Sequence, residues 1–401
     1  MQKTLVEKIK RNIYLLRLND SEVKYFEGLW YIPEGITYNA YVATLPEGVV
    51  LFDGWKHVYS ELYIETLRQV VDLSDIKHIV VHHMEPDHSG SLKLLLEKVE
   101  NITVYGHSIA NSLMQAFYGR TVKFKPVNDG EKLALGGGHA LYFYHTPWLH
   151  WPDTIISYLD SEKVLFTCDV FGSYGIPSRV FYEDLPSDEK TVFKWFTQKY
   201  FANVIGHHVD WVPKNLDKIS RLNLNIELIA AGHGPLYREI SYIMNLYQEL
   251  GAKQVSKNKT AVIYTSMYRF VEEAVEIAVD ELKKQGIDPR IYKFTDTYRD
   301  HESDIIGDLF DAENIIIATS TYDADLYPIA KYIVELIKAK IPSNKRILVL
   351  TVHGWGPVAG KKLTESLAEK KFQVIGSMEI KGSPRREEAK IREVVNKLIR
   401  Q

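Results

Sequence analysis

The stretch Val80-Val81-His82-His83-Met84-Glu85-Pro86-Asp87-His88-Ser89-Gly90 decides how this chain is read. It opens on apolar, β-branched residues, as the end of a strand does. Imidazoles and carboxylates then crowd together within a few positions. Pro86 disfavours a regular helix, so an extended loop is expected here. In such a loop positions 83, 85 and 87 send their side chains to one side, and His88 adds a fourth donor. Helical apolar spacing resumes from Ser89 to Val99.

Three more donors follow at wide intervals. They are His150 in Thr146-Pro147-Trp148-Leu149-His150-Trp151-Pro152, Asp169 at a strand end, and His233 in Gly232-His233-Gly234-Pro235. A lone histidine is usually a surface or satisfied core residue. His83, Glu85, Asp87, His88, His150, Asp169 and His233 all fall in or beside expected loops of one half of the chain, and together they point to a metal site. Around them strands are expected at 38–44, 49–52, 76–82, 103–105, 141–144 and 163–168, rich in β-branched and aromatic residues. Cys168 adjoins Asp169, and in a regular strand it would point the other way, into the core. Asp53 and Lys56 read as a plain strand-end turn with an exposed lysine.

Beyond Leu250 the rhythm changes. Gly251 to Lys259 is polar and linker-like, and strand-like and helical segments then alternate. Strands are expected at 260–265, 314–318, 346–352 and 372–375, and helices at 272–285, 329–341, 361–371 and 384–400. Ile391, Val394, Val395, Leu398 and Ile399 share one face of the last helix. That alternation implies a doubly wound parallel sheet, which binds ligands at the carboxyl ends of its strands. Three loops stand at such ends. Ser266-Met267-Tyr268-Arg269-Phe270-Val271 enters a helix, whose N-terminus suits a phosphate. Thr319-Ser320-Thr321-Tyr322-Asp323 and His353-Gly354-Trp355-Gly356 offer Tyr322 and Trp355 for stacking on a ring and glycines for close approach.

With 401 residues the chain has room for two or three domains, and 45% hydrophobic with 25% charged residues is ordinary for a globular protein. A net charge of −3 gives no electrostatic reason to expect nucleic acid. A single cysteine, Cys168, excludes an intrachain disulfide, a Cys-based zinc ribbon and a protein-ligated iron–sulfur cluster, and it fits a reducing compartment. The first residues lack the pattern of a signal peptide, and no apolar run is long enough to span a membrane. A cytoplasmic protein without membrane association is expected.

The motif His83-x-Glu85-x-Asp87-His88, followed by His150, Asp169 and His233, resembles that of the flavodiiron proteins, or A-type flavoproteins, a branch of the metallo-β-lactamase superfamily. Thr37-Tyr38-Asn39, the segment from Thr146 to Asp153, and Asp169-Val-Phe-Gly-Ser-Tyr-Gly carry the resemblance across the chain, and the three later loops resemble those that hold FMN in flavodoxin. It implies a metallo-β-lactamase-like αββα sandwich over residues 1–254 and a flavodoxin-like domain over 255–401. It further implies two iron ions, oxo- or hydroxo-bridged. His83, Glu85 and His150 would bind the iron nearer the flavin, Asp87, His88 and His233 the other, and Asp169 would bridge. For Asp53 and Lys56 the resemblance implies groups behind the metal ligands. Hydrolases of the superfamily carry histidine where Glu85 stands and prefer zinc. A carboxylate there makes the site harder and more anionic, which suits iron.

The implied activity is reduction of dioxygen to water, of nitric oxide to nitrous oxide, or of both. Two ferrous ions and a reduced FMN together hold the four electrons that dioxygen needs. Electrons would come from rubredoxin or a similar carrier, since the chain resembles the minimal two-domain form. A head-to-tail homodimer, or a tetramer of two such dimers, would bring flavin and irons together. The first FMN loop departs from the family pattern at Arg269, Phe270 and Val271, where small and hydroxyl residues are usual, so Arg269 is expected to contact the phosphate instead. Glu34 likewise stands where many relatives carry histidine. Two other readings remain at this point: a dizinc hydrolase with a flavodoxin-like scaffold domain, and an electron carrier without catalysis.

Overall fold

A computed structural model of the protein describes residues 3–119 and 122–399. The chain forms two compact units, residues 1–201 with 208–251, and residues 202–207 with 252–401. The segment 202–207 lies inside the range 1–254 expected for the first domain, yet it packs with the second unit. The reason is local: the ring of His207 contacts the carbonyl of Ala339, and a Cβ on Gly206 would come within 2.9 Å of the Lys340 carbonyl.

In the first unit, a seven-stranded sheet follows chain order through Thr4–Lys10, Ile13–Asp20, Ile36–Leu45, Gly48–Phe52, Ile76–Val81, Thr103–Gly106 and Lys123–Pro126. Its first four strands pair antiparallel and the rest parallel. A five-stranded sheet runs Lys132–Ala134, Ala140–His145, Ile155–Leu159, Val164–Cys168 and Leu228–Ala231. Alternation along the strands sends one side of each sheet into a shared core. Ile13, Leu15, Tyr41, Val50, Phe52 and Val80 of the first sheet meet Leu141, Phe143, Ile155, Val164 and Phe166 of the second. Leu51 and Ile79, alternate to those core residues, are also fully buried. The outer face is therefore covered as well, by helices such as Ser60–Leu67 and Leu92–Lys98, which bury Ile64, Leu67, Leu92 and Leu95. This is the αββα sandwich that the resemblance implied.

The expected extended loop at 82–88 is corrected by the structure. Pro86 opens a one-turn helix, Pro86–Ser89, from its first position. There a missing N–H costs nothing and the fixed φ of proline is already helical. The helix expected over Ser89 to Val99 is accordingly two pieces, Pro86–Ser89 and Leu92–Lys98.

In the second unit the parallel sheet has the spatial order Arg290–Phe294, Ser256–Thr265, Ala312–Tyr322, Arg346–His353, Gln373–Lys381. In sequence terms that is 2-1-3-4-5, the flavodoxin-like order, with its switch point between Ser256–Thr265 and Ala312–Tyr322. Helices Phe270–Lys284, Glu302–Leu309, Pro328–Lys340, Ala359–Glu369 and Glu388–Ile399 complete the unit. Ile391, Val395 and Leu398 are fully buried, and Val394 and Ile399 pack partly buried on the same core, so the expected face of the last helix is the buried one. Among the described residues no helix is long and apolar enough to cross a membrane.

Candidate metal and flavin sites

The seven donors expected from the sequence converge at the carboxyl ends of strands from both sheets of the first unit. His83 and Glu85 follow Ile76–Val81, Asp87 and His88 lie on the short helix, and His150, Asp169 and His233 follow strands of the second sheet. Their ligand atoms form two groups, His83, Glu85, His150 with Asp169, and Asp87, His88 with His233. In the first, Glu85 Oε2 is 3.1 Å from His83 Nε2 and 2.9 Å from His150 Nε2. In the second, Asp87 Oδ2 is 3.5 Å from His233 Nε2 and 3.6 Å from His88 Nε2.

Asp169 stands between the groups and divides its oxygens. Oδ2 lies 3.7 Å from His83 Nε2 and 3.6 Å from His150 Nε2. Oδ1 lies 2.9 Å from His88 Nε2 and 3.3 Å from His233 Nε2. One carboxylate thus addresses two positions about which nitrogen and oxygen donors gather. Gly232 makes room for this, since a Cβ there would come within 2.8 Å of the His88 ring.

Acids and imidazoles in the pocket shift one another's protonation. Burial alone would drive the His83 ring neutral, but hydrogen bonds to Asp153 and Glu85 and the charges of Asp153 and Asp169 hold its pKa well above the usual imidazole range. Against the same burial, Asp87 and Asp169 push His88 up to about 10. Burial would raise Asp169, yet His88, His233 and His150 hold it well below the usual carboxylate range. Glu85 is depressed in the same way by His150 and His83. Cationic rings here sit where a multivalent cation would otherwise balance the acids, and metal binding releases such protons. Moreover, both oxygens of Asp87 and Nε2 of His233 are buried with no hydrogen-bond partner. Burying a carboxylate that way is costly. A cation at the second position removes the cost, and the first group gathers the same kinds of donor around Glu85 and Asp169, so the residues present fit two metal ions.

Asp153 and Tyr200 were not singled out from the sequence. Asp153, fully buried, accepts from His83 Nδ1 at 3.1 Å and from the Met84 N–H at 2.8 Å. Tyr200 donates its hydroxyl to Asp169 Oδ1 at 2.8 Å. Asp53 accepts from the N–H of His82 at 2.8 Å and meets its Nδ1 at 2.7 Å, and His82 Nε2 meets Ser157 Oγ at 2.7 Å. Of the two readings of Asp53, the one that places it behind the ligand loop matches these contacts. Lys56 lies 4.9 Å from the Tyr38 ring centre and lines a 350 Å³ cavity with Phe26, His57, Glu85 and Asp87. Glu34 pairs with the buried Lys199 at 2.8 Å.

Cys168 does not behave as a regular strand residue. The ladder shifts between Phe166 and Cys168, the backbone there has φ 51°, and Sγ lies 4.0 Å from Asp169 Oδ2. The irregularity turns the thiol toward the acids, contrary to the expectation that it points away.

In the second unit a cavity of about 280 Å³ lies at the carboxyl ends of the parallel strands. Ser266, Met267, Tyr268, Phe270, Val271, Ser320, Thr321, His353, Gly354 and Trp355 line it, joined by Val352 and Gly382. Arg269, Thr319, Tyr322, Asp323 and Gly356, also expected from the sequence, do not. Arg269 takes φ 69° ahead of helix Phe270–Lys284, and its guanidinium turns to Glu272 and Glu276 of that helix. Two carboxylates of its own helix thus share the charge that was expected to face a phosphate. Thr319 bonds Thr265 at 2.7 Å beneath the cavity, and the Tyr322 ring packs on Tyr327. Ser266 Oγ, Ser320 Oγ and His353 Nδ1 are buried without hydrogen-bond partners on the cavity wall, while Trp355 and Tyr268 are 79% and 80% exposed at its rim. Unmet polar groups beside exposed aromatic faces fit a flat polar ring system carrying a phosphate.

Comparison with known proteins agrees with this arrangement. Residues 36–234 match the family described as ODP family beta lactamase. A mutant flavo di-iron protein from Thermotoga maritima is 37% identical, with 100% of this chain and 99% of that one covered at a TM-score of 0.94. Rubredoxin oxygen:oxidoreductase from Desulfovibrio gigas is 25% identical, with 99% and 98% covered at a TM-score of 0.92. The anaerobic nitric oxide reductase flavorubredoxin of Salmonella arizonae is 29% identical over 94% of this chain and 78% of its own length.

Proposed function

Because the chain belongs to the flavodiiron protein family, we propose that it is an oxidoreductase that reduces dioxygen to water, nitric oxide to nitrous oxide, or both. The observation that carries this reading is the division of Asp169 between two donor groups, one of which contains Glu85. In this reading residues 1–254 form the diiron domain and 255–401 the FMN domain. His83, Glu85 and His150 hold one iron, Asp87, His88 and His233 the other, and Asp169 bridges. Ser266 to Val271, Thr319 to Asp323 and His353 to Gly356 form the FMN loops, with Arg269, which pairs with Glu272 and Glu276 of its own helix, in the first of them.

When bound, two ferrous ions and reduced FMN supply up to four electrons. The chain's own residues do the rest. Asp53 and Asp153 fix the ligand loop from behind, and Tyr200 holds one oxygen of Asp169. The cavity walled by Tyr25, Phe26, Lys56 and Val58 opens onto Glu85 and Asp87 and is apolar enough for a small uncharged gas. Relatives named for rubredoxin support a rubredoxin-like electron donor. A cytoplasmic head-to-tail homodimer completes the proposal.

Anaerobic purification, metal and flavin analysis, and separate exposure of the reduced protein to dioxygen and nitric oxide test it. Two irons and one FMN per chain with consumption of at least one gas are expected. Stoichiometric zinc with hydrolytic turnover and no iron-dependent gas consumption would overturn it. Light scattering checks the dimer.

A further inference from the structure

The histidines around the two metal positions differ in what stands behind them. His83 has a carboxylate: Asp153 Oδ1 lies 3.1 Å from its Nδ1, and neither side chain is exposed. The other oxygen of Asp153 takes the Met84 N–H at 2.8 Å, so one carboxylate anchors both the ring and the chain next to it. His233 has only a neutral partner, the Thr37 carbonyl, 2.7 Å from its Nδ1. Nδ1 of His88 is buried with no hydrogen-bond partner. A buried anion behind an imidazole fixes its tautomer and makes the facing nitrogen a stronger donor than a carbonyl does. The Trp151 ring sets the plane of His83 further, edge-on at 4.7 Å and 85°. Asp153 also belongs to the loop that carries His150, so one loop supplies a donor to the first group and the backing of another donor in the same group.

We propose that Asp153 is a positioning residue that locks His83 with Nε2 toward the metal and makes the His83–Glu85–His150 position the more electron-rich of the two. The inference rests on the diiron reading above. Its consequence is an inequivalent pair: the metal at the first position is held more tightly and favours the oxidised state relative to the metal at the second. Among the described residues no carboxylate hydrogen-bonds Nδ1 of His88 or of His233.

The test uses full-length Asp153→Asn beside the natural protein. Asparagine keeps the shape and one acceptor while removing the charge. With folding and FMN content unchanged, one of the two irons should become 10–100-fold easier to remove with a chelator. The half-reduced, mixed-valence EPR signal should lose yield, because the two positions become more alike. Zinc-loaded natural protein should show a His83 Nδ1–H resonance in long-range nitrogen–proton NMR. Equal loosening of both irons, or unchanged iron retention and unchanged mixed-valence yield, overturns the proposal. Should the variant fail to fold, the zinc-loaded natural protein still decides, because a His83 ring without a proton on Nδ1 also overturns it. A natural protein that binds no iron pair under any loading condition refutes instead the diiron reading on which the inference stands.

Discussion

Asp169→Asn is the substitution on which the two-metal reading depends most directly. The carboxylate is 1% exposed, and its two oxygens face different donor groups at 2.9 to 3.7 Å. Asparagine preserves the volume and can still meet the Tyr200 hydroxyl, so gross collapse is not expected. What disappears is one negative charge shared by two cations. A charged contact of this kind contributes about 1.5–3 kcal/mol. At 1.4 kcal/mol per tenfold, that is roughly a 10–100-fold loss of affinity at each position. Both metals should weaken together, in contrast to the one-sided loss expected for Asp153→Asn. The assay is anaerobic ferrous titration against a competing chelator, with iron per chain read after desalting and FMN absorbance as the control. Two irons retained at natural affinity, with gas consumption undiminished, would refute the bridging role.

Glu85→His should shift metal preference from iron toward zinc and abolish gas reduction, as measured by metal analysis after growth in mixed metals; unchanged iron content would remove the argument from ligand hardness. Trp355→Ala, removing a face that is 79% exposed at the cavity rim, should weaken FMN binding about tenfold by loss of stacking, read from the return of flavin fluorescence on dilution. Lys345 is fully buried with Nζ on the Phe310 carbonyl, and burial lowers its pKa from 10.5 to about 8. Between those values the unfolded chain binds the proton and the folded chain does not, so stability rises with pH, by up to about 3 kcal/mol at 1.36 kcal/mol per unit. Denaturant unfolding at pH 7 and pH 10 should show this rise in the natural protein and lose it in Lys345→Met; parallel pH dependence in the two would contradict it.

The parts of the site that could be read from the sequence were those whose chemistry is local. His83, Glu85, Asp87 and His88 lie within six positions, and His150, Asp169 and His233 each fall in or beside an expected loop of the same half, so a cluster of donors was visible before any contact was known. Alternation of strand and helix after residue 255 likewise exposed the parallel sheet, although the five-residue, largely exposed strand Arg290–Phe294 and the short helix Glu302–Leu309 escaped. Asp153 and Tyr200 could not be picked out, because an aspartate near a proline and a tyrosine in a helix have many ordinary uses. Only the sandwich brings Tyr200 onto Asp169 across 31 residues of chain. Pro86 misled because proline breaks a helix from within but begins one without penalty. Cys168 misled because a shift in the ladder reverses which side of the strand it faces, and nothing in the side chains announces that shift. Thr4–Lys10 was missed because it is mostly half-buried, and its lysines and glutamate hide the alternation.

The turned thiol of Cys168 gives the protein an internal recorder. It is the only cysteine in the chain and it is buried, with burial and the nearby acids raising its pKa so that it stays a neutral, sluggish thiol. Oxidants in the surrounding solution therefore meet no cysteine on the surface. An oxidant formed and lost within the metal pocket meets one 4.0 Å from Asp169. Mass spectrometry of that single sulfur after many turnovers, compared with protein left idle in the same oxidising buffer, would count how often reduction stops short of its end product.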